Sequence, residues 1–408
     1  MYSLFQWLRR PTASTTYVPQ IDGLRFLALV PVLMWHAGLR GERFHAAHAG
    51  ATLAVDDKAS YWLPHGHIGV FIFFFISGYI IAYPFLAGSA PSLSSFYKRR
   101  LYRLEPPYIV AMCLAFLALY VAGYKPEQAP SFGEQENSLV GSLAASLLYL
   151  HGLFFNAPPR LNPPAWSLEI EIQFYLLAPF LITFLAARKS LLVTVGAVFG
   201  SIVLSAMLDQ RFGIHGLQNR TILGHGYGFI LGVAVCRYAA KKNPFVMPPA
   251  RRFDLLGGAC VVLLFASGVL EHKGLTPFEE AIRNAGRAVL MVGVYFGVAR
   301  GIGMRRFFGN PLVTVAGGMC YSVYLVHVPL MQATAGLLFK HYIPASAVEA
   351  VLIAWVVLIP VSLCGGLLFY VAIERPCMTH DWPQRLARRV RALARGALTT
   401  EPVSTRQR

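Results

Sequence analysis

Long apolar runs alternate with short polar stretches along most of the chain. Runs near the length of a membrane crossing fall at roughly 22–39, 66–86, 106–124, 168–187, 190–208, 221–238, 255–271, 286–301, 311–339 and 346–373. About twenty apolar residues in a helix span the ~30 Å hydrocarbon layer. The runs are continuous rather than alternating, which predicts helices and not a β-barrel. One further apolar piece, 139–155 ("LVGSLAASLLYLHGLFF"), is ambiguous. The loops 87–105, 188–189, 237–253 and 300–310 are basic, as are both ends, and together they hold most of the 36 Lys and Arg. Placing all of them on the cytoplasmic side satisfies the positive-inside rule. It also requires 125–167 to begin and end on the opposite side, so 139–155 does not cross completely. The expectation is an all-α polytopic membrane protein of about ten transmembrane helices plus one re-entrant or interfacial helix, both termini cytoplasmic. The chain divides into a cytoplasmic segment 1–20, an integral membrane domain 21–376 and a basic cytoplasmic tail 377–408.

Composition agrees. Of 408 residues, 56% are hydrophobic and only 13% charged, about half the charge of a soluble domain. The net charge of +17 suggests nucleic acid in a soluble protein; here loop topology accounts for most of it, and no nucleic-acid partner is expected. Six cysteines are scattered, with no CxxC pair, so neither a disulfide framework nor a metal site is expected. The arginines Arg9 and Arg10 lie more than ten residues before the first apolar run, and no A-x-A site follows it, so no cleavable signal is expected. In the tail, "WPQRLARRVRALARG" reads as a helix on an anionic leaflet or as a solvated topology signal.

Three clusters carry polar chemistry into these apolar surroundings. In "IDGLRFLALVPVLMWHA", Arg25 and His36 are eleven residues apart, about three helical turns and ~16 Å along one face. Pro31 between them frees a carbonyl or kinks the helix. A polar stripe of this kind should face the bundle interior; the plainer alternative is a snorkelling arginine and an interfacial histidine. In "SFYKRRLYRLEPPY", Arg100 and Arg103 share a helix face at i, i+3, suited to bidentate phosphate contacts or simply to topology. In "NPPAWSLEIEIQFYLLAP", Glu169 and Glu171 are about 200° apart on a helix, so they cannot both face one site. Glu171 shares a face with Tyr175, and a carboxylate beside His36 would orient its imidazole; the alternative is an interfacial acid facing water. "GHIGVFIFFFISGYII" places small residues for close helix packing, with Ser77 a poor nucleophile candidate. "YSVYLVHVPL" puts His327 near mid-membrane, as a functional group or a structural hydrogen bond.

In series, these motifs resemble the membrane acyltransferase-3 family over about residues 17 to 376. The resemblance rests on Arg25, ten residues and His36; on the Gly66–Ile81 span; on Arg100-x-x-Arg103; on Trp166, Glu171 and Tyr175; and on the late His327 motif. It implies a multi-pass O-acyltransferase of the plasma (bacterial inner) membrane. Such an enzyme takes acyl-CoA, as acetyl-CoA, from the cytoplasm as co-substrate, with no permanently bound cofactor and no metal. The acceptor would be a carbohydrate or glycoconjugate at or beyond the lipid. His36 and Glu171 take the catalytic positions; Arg25, Arg100 and Arg103 the acyl-CoA contacts; Glu169, Trp166, Tyr175 and His327 substrate contact or support. Glu171 falls five after Trp166, where the family's acid lies, but Ile172 stands where many relatives have a second acid, and Glu169 is an unassigned extra. The added extracytoplasmic domain of some relatives is not expected here. In the expected mechanism, His36, oriented by Glu171, takes a proton from a sugar hydroxyl, which attacks the thioester. The rival is a proton-coupled transporter or flippase, for which intramembrane Arg, His and Glu also speak.

Overall fold

The computed structural model describes residues 2–11, 18–49, 62–124, 138–188, 190–211, 220–272, 275–379 and 382–394, and every regular element among them is helical. A short α1 (Tyr2–Leu8) precedes α2 (Pro19–Ala49), α3 (His67–Leu86) and α4 (Leu93–Val121). Two short helices, α5 (Leu139–Leu147) and α6 (His151–Phe155), lead through a 3₁₀ turn into α7 (Trp166–Ala187). Then come α8 (Leu191–Arg211), α9 (Ile222–Lys241), α10 (Arg251–Ala266) and α11 (Pro277–Arg300). Short α12 (Gly303–Phe308) and α13 (Pro311–Gly318) precede α14 (Cys320–His341) and α15 (Ala347–Phe369), which continues through a π-helical turn (Tyr370–Glu374) to Cys377. A final α16 (Trp382–Ala394) covers much of the stretch read as an interfacial helix, and the rest of the tail lies outside the described residues.

Local sequence sets these boundaries. Ser92, Ser138, Thr221 and Ser346 each accept a backbone N–H in the first turn of their helix, the usual N-cap. Thr276 and Glu279 form a reciprocal capping box at the start of α11.

Among the described residues, eight helices are long and apolar enough to cross a membrane by length and composition: α2, α3, α4, α7, α8, α9, α14 and α15. The expected ten therefore reduce to eight on this measure. The run at 255–271 forms α10, of 16 residues, rising only ~24 Å. The run at 286–301 belongs to α11, whose first half carries Glu279, Glu280, Arg283, Asn284 and Arg287. Asn284 and Arg287 are buried, so this polarity faces protein and lowers hydropathy without marking a soluble surface. The run at 311–339 is two helices, α13 and α14, parted at Met319. The ambiguous piece 139–155 is also two helices, of nine and five residues, neither long enough to cross.

α2 is the hub, packing on α3, α13, α14 and α15. α3 packs in turn along α9. These helices approach closely because glycines remove side chains at the crossings: a Cβ at Gly78 would strike the Phe229 carbonyl, and one at Gly232 the Phe75 carbonyl. Small residues are the common means of close helix packing in lipid. Outward faces carry Leu114 and Leu117 on α4, Phe180 and Phe184 on α7 and Phe199 on α8, all exposed, the apolar surface a hydrocarbon solvent requires.

Overpacking such a contact costs ~1–3 kcal/mol. Gly232→Val is therefore expected to lower the thermal midpoint of the detergent-solubilised protein. Gly258→Ala, where an added Cβ meets nothing within 4 Å, should leave it unchanged. Equal midpoints for the two variants would contradict the packing account.

Candidate active site

α2 supplies a polar stripe. Near its start Asp22 is 3% exposed and accepts a hydrogen bond from Arg25 one turn later. The Arg10 guanidinium, from the segment after α1, lies 3.9 Å from the same carboxylate. Arg25 and Arg10 open onto a cavity of about 100 Å³, together with Arg100 and Arg103 from α4. Four guanidiniums from three parts of the chain thus converge. Burial, with the neighbouring Arg103 and Arg25, pushes the Arg10 guanidinium well below its ordinary value. Arginine stays protonated in proteins regardless, and Asp22 and Glu374 offset part of the repulsion.

Acidic and hydroxyl groups line the same space. Glu171 accepts hydrogen bonds from the Ser77 hydroxyl and the Tyr175 hydroxyl. The Arg100 guanidinium lies 5.4 Å from the centre of the Tyr175 ring, within cation–π range. Glu374, at the π-helical turn, accepts from the Ser322 amide at 3.1 Å and from its hydroxyl. Further along the cavity are Ser167 and Tyr324. The Tyr324 hydroxyl donates to the Pro164 carbonyl at 2.9 Å and lies 2.7 Å from Ser167 Oγ.

Beyond Tyr324 is a histidine pair. His327 is 0% exposed, and its ring lies 5.6 Å from that of Tyr324. Its Nδ1 faces two carbonyl oxygens, Tyr324 at 2.8 Å and Val323 at 3.2 Å. Carbonyls only accept, so in a neutral His327 the proton sits on Nδ1 and Nε2 is a bare acceptor. That Nε2 is 3.2 Å from His36 Nδ1, which also faces the Val32 carbonyl at 3.0 Å. His36 Nδ1 therefore meets two acceptors and carries the proton itself. The lone pair of neutral His36 is left on Nε2, the arrangement a general base requires. The tautomer follows from hydrogen-bond logic rather than from the position of any hydrogen.

Arg25, Arg100, Arg103, Glu171 and Tyr175 thus line one cavity, and His36 and His327 form one pair. Glu171 is not the partner of His36: its hydrogen bonds run to Ser77 and Tyr175 on the arginine side. Glu169, 2% exposed, accepts from the Gly152 amide at 2.9 Å and clasps α6 to α7. The opposite orientation expected of the two carboxylates is what places them in separate environments. Trp166 meets His67 at 5.2 Å and His225 at 5.3 Å, ring to ring.

The sequence reading missed Asp22, Arg10 and Glu374. Asp22 had a local signal, an acid at i, i+3 to Arg25. Glu374 closed the last apolar run, where an acid is out of place. Arg10 reaches the cavity only through tertiary structure and has no such signal.

Comparisons with known proteins bear on the family. A family model described as an acyltransferase domain matches residues 18–371. The chain is similar to an O-acetyltransferase OatA of Staphylococcus aureus (strain NCTC 8325 / PS 47), 25% identical over 338 residues, covering 78% of this chain and 51% of that protein. It is also similar to a peptidoglycan O-acetyltransferase OatA of Listeria monocytogenes serovar 1/2a, 27% identical over 349 residues, covering 80% of this chain and 51% of that protein. The chain thus spans about half the length of the curated relatives it matches. No solved structure matches.

The tautomer argument predicts that an acceptor at position 327 is what matters. His327→Gln, whose amide oxygen can take the His36 Nδ1 proton, should keep kcat within about tenfold, whereas His327→Phe should lower it by ~10²–10⁴, the worth of a positioned general base. Steady-state kinetics of the two purified variants decides it; equal losses would show that His327 acts by packing alone.

Proposed function

The chain belongs to the acyltransferase family whose model it matches, and from that premise we propose that it carries an acetyl group from acetyl-CoA to a carbohydrate hydroxyl across the width of a membrane. The observation that carries this reading is the four-arginine cavity whose lining includes Tyr324, the residue whose ring meets that of His327 at 5.6 Å. CoA is a polyanion on a long, thin arm ending in a thioester. Arg100 and Arg103, with Arg25 and Arg10, are suited to its phosphates through charge-assisted, bidentate hydrogen bonds. The arm then runs past Ser77, Glu171 and Tyr175 toward Ser167 and Tyr324, bringing the thioester up to the histidine pair.

His36 Nε2 takes the proton of the acceptor hydroxyl. The alkoxide oxygen attacks the thioester carbonyl, the new C–O bond forms and the C–S bond breaks. The CoA thiolate leaves and takes up the proton from the His36 imidazolium. Direct transfer is favoured over an acyl-enzyme, since among the described residues no cysteine or serine is hydrogen bonded to His36; Ser77 is hydrogen bonded to Glu171.

The topology in this reading has ten crossings, with α10 and α11 completing the bundle, and both ends in the cytoplasm, where the basic loops and acetyl-CoA are found. The membrane is the plasma membrane of a bacterial cell. The acceptor class is supported by the word "peptidoglycan" in the name of the Listeria relative.

Purified protein in lipid nanodiscs should release free CoA from acetyl-CoA and form an acetyl ester on a glycan. His36→Ala is expected to abolish transfer while leaving acetyl-CoA affinity within twofold. Arg100→Ala with Arg103→Ala should raise the acetyl-CoA KM by ~10²-fold or more, from ~1.5–3 kcal/mol per hydrogen bond to a charged group. Movement of an unmodified solute with no CoA release would establish the transporter reading instead, and normal transfer by His36→Ala would overturn the mechanism.

A further inference from the structure

A second cavity, of about 270 Å³, lies where α3, α7, α9 and α11 begin. It is separate from the arginine cavity, yet the two share a wall: Phe74 lines both. On α7 the consecutive residues Trp166 and Ser167 line different cavities, Trp166 the second and Ser167 the first. The wall is one side chain thick.

The lining of the second cavity is unlike that of a lipid crevice. Asn284 is 3% exposed, and its Oδ1 has no hydrogen-bond partner. An unmade buried hydrogen bond is costly, ~1–3 kcal/mol, so an acceptor oxygen kept in this state at a cavity wall marks a place for a donor. Around it stand Glu280, Arg283 and Arg287 from the same helix. They are held in place: Arg283 pairs with Glu280 at 3.4 Å, and Arg287 donates to the Ser267 carbonyl at 2.8 Å and to its hydroxyl at 3.1 Å. Across the cavity, Trp166 is half-buried, its ring against His67 and His225. Three histidines line the space, but among the described residues no three His, Cys, Asp or Glu side chains come together as a metal site.

From these juxtapositions we infer that the second cavity is the acceptor subsite and that it takes one sugar ring of a glycan. A pyranose has an apolar CH face and a rim of hydroxyls. Trp166 offers the flat apolar surface, Asn284 Oδ1 accepts from a hydroxyl, and the fixed Arg, Glu and His groups serve the rest of the rim. The volume of about 270 Å³ lies just below the ~300–1,000 Å³ typical of ligand pockets, which suits one ring rather than an oligosaccharide, whose remainder would trail outward. One Glu against two Arg leaves the lining nearly neutral, so the ring is uncharged or singly anionic, unlike the polyanion suited to the first cavity. The sugar thus waits beyond Phe74 from the donor. Trp35, which precedes His36, meets the cavity residue His65 at 4.2 Å with its ring tilted, so the helix that carries the base runs beside this cavity. The inference rests on the acyl-transfer reading.

The test is steady-state kinetics in nanodiscs with labelled acetyl-CoA and three tetrasaccharide probes: N-acetylchitotetraose, maltotetraose and tetragalacturonate. With whichever probe wild type acetylates, Asn284→Ala and Trp166→Ala should each raise the sugar KM about tenfold, the worth of one such contact. The acetyl-CoA KM should stay within twofold, which also reports that the variants fold. Asn284→Asp, which keeps an acceptor oxygen, should restore the sugar KM to within threefold. An unchanged sugar KM in Asn284→Ala and Trp166→Ala, or an acetyl-CoA KM that rises with it, overturns the assignment. Wild type that releases CoA but acetylates none of the three sugars also overturns it, while leaving acyl transfer standing. Wild type that releases no CoA at all overturns the acyl-transfer reading itself.

Discussion

A helix at hydrocarbon depth cannot leave Asp22, Arg25 and His36 facing lipid, and the architecture follows from that constraint. Even the lower estimates put an arginine at mid-bilayer at about 2.5–3.5 kcal/mol. Each member of the stripe is answered from inside the bundle: Asp22 by Arg25 and Arg10, and His36 by His327. α2 must therefore be enclosed, and it is, with α3, α13, α14 and α15 packed around it. The enclosure is close because glycines sit at the contacts: a Cβ at Gly317 would strike the Asp22 carbonyl, and one at Gly69 that of Ala28. The apolar positions of α2 are then free to face its neighbours, as Leu29, Leu33 and Ala37 do in the core shared with α14 and α15.

Charge is sorted along this stripe. All four arginines of the cavity lie toward the start of α2, with Glu171 and Glu374 among them. The hydrogen-bond partners at His36 are uncharged: a backbone carbonyl and a second imidazole. A carboxylate there would favour the protonated imidazolium and so leave less free base before reaction. A neutral histidine partner fixes the tautomer without that cost. Among guanidiniums, in contrast, carboxylates moderate like-charge repulsion and orient hydroxyls, which is what Glu171 does with Ser77 and Tyr175. The two kinds of acid–base partner are thus kept where each is useful.

The fold was legible where it depends on one helix at a time. The spacing of Arg25 and His36 placed both on the inner face of α2, and the 200° between Glu169 and Glu171 separated their roles. The Arg100 and Arg103 pair also faced one space. What escaped depended on contacts far apart in sequence. His327 and His36 are 291 residues apart, and no periodicity pairs them; the same blindness set Glu171 beside His36. Helix interruptions were also hidden: nothing apolar changes at Met319, yet the chain divides there, and α11 hid an inward polar face behind modest hydropathy.

The shared wall bears on a chemical problem that any such transfer must meet. A thioester beside an activated hydroxyl is also vulnerable to water, and exclusion of water is one service a closed site performs. Phe74 stands at the boundary, stacked on Phe229 with ring centres 4.4 Å apart and edge-on to His225 at 5.8 Å. An apolar ring in that position denies water an easy path between the two cavities. The close packing of α3 on α9 holds that aromatic wall in place between the two cavities.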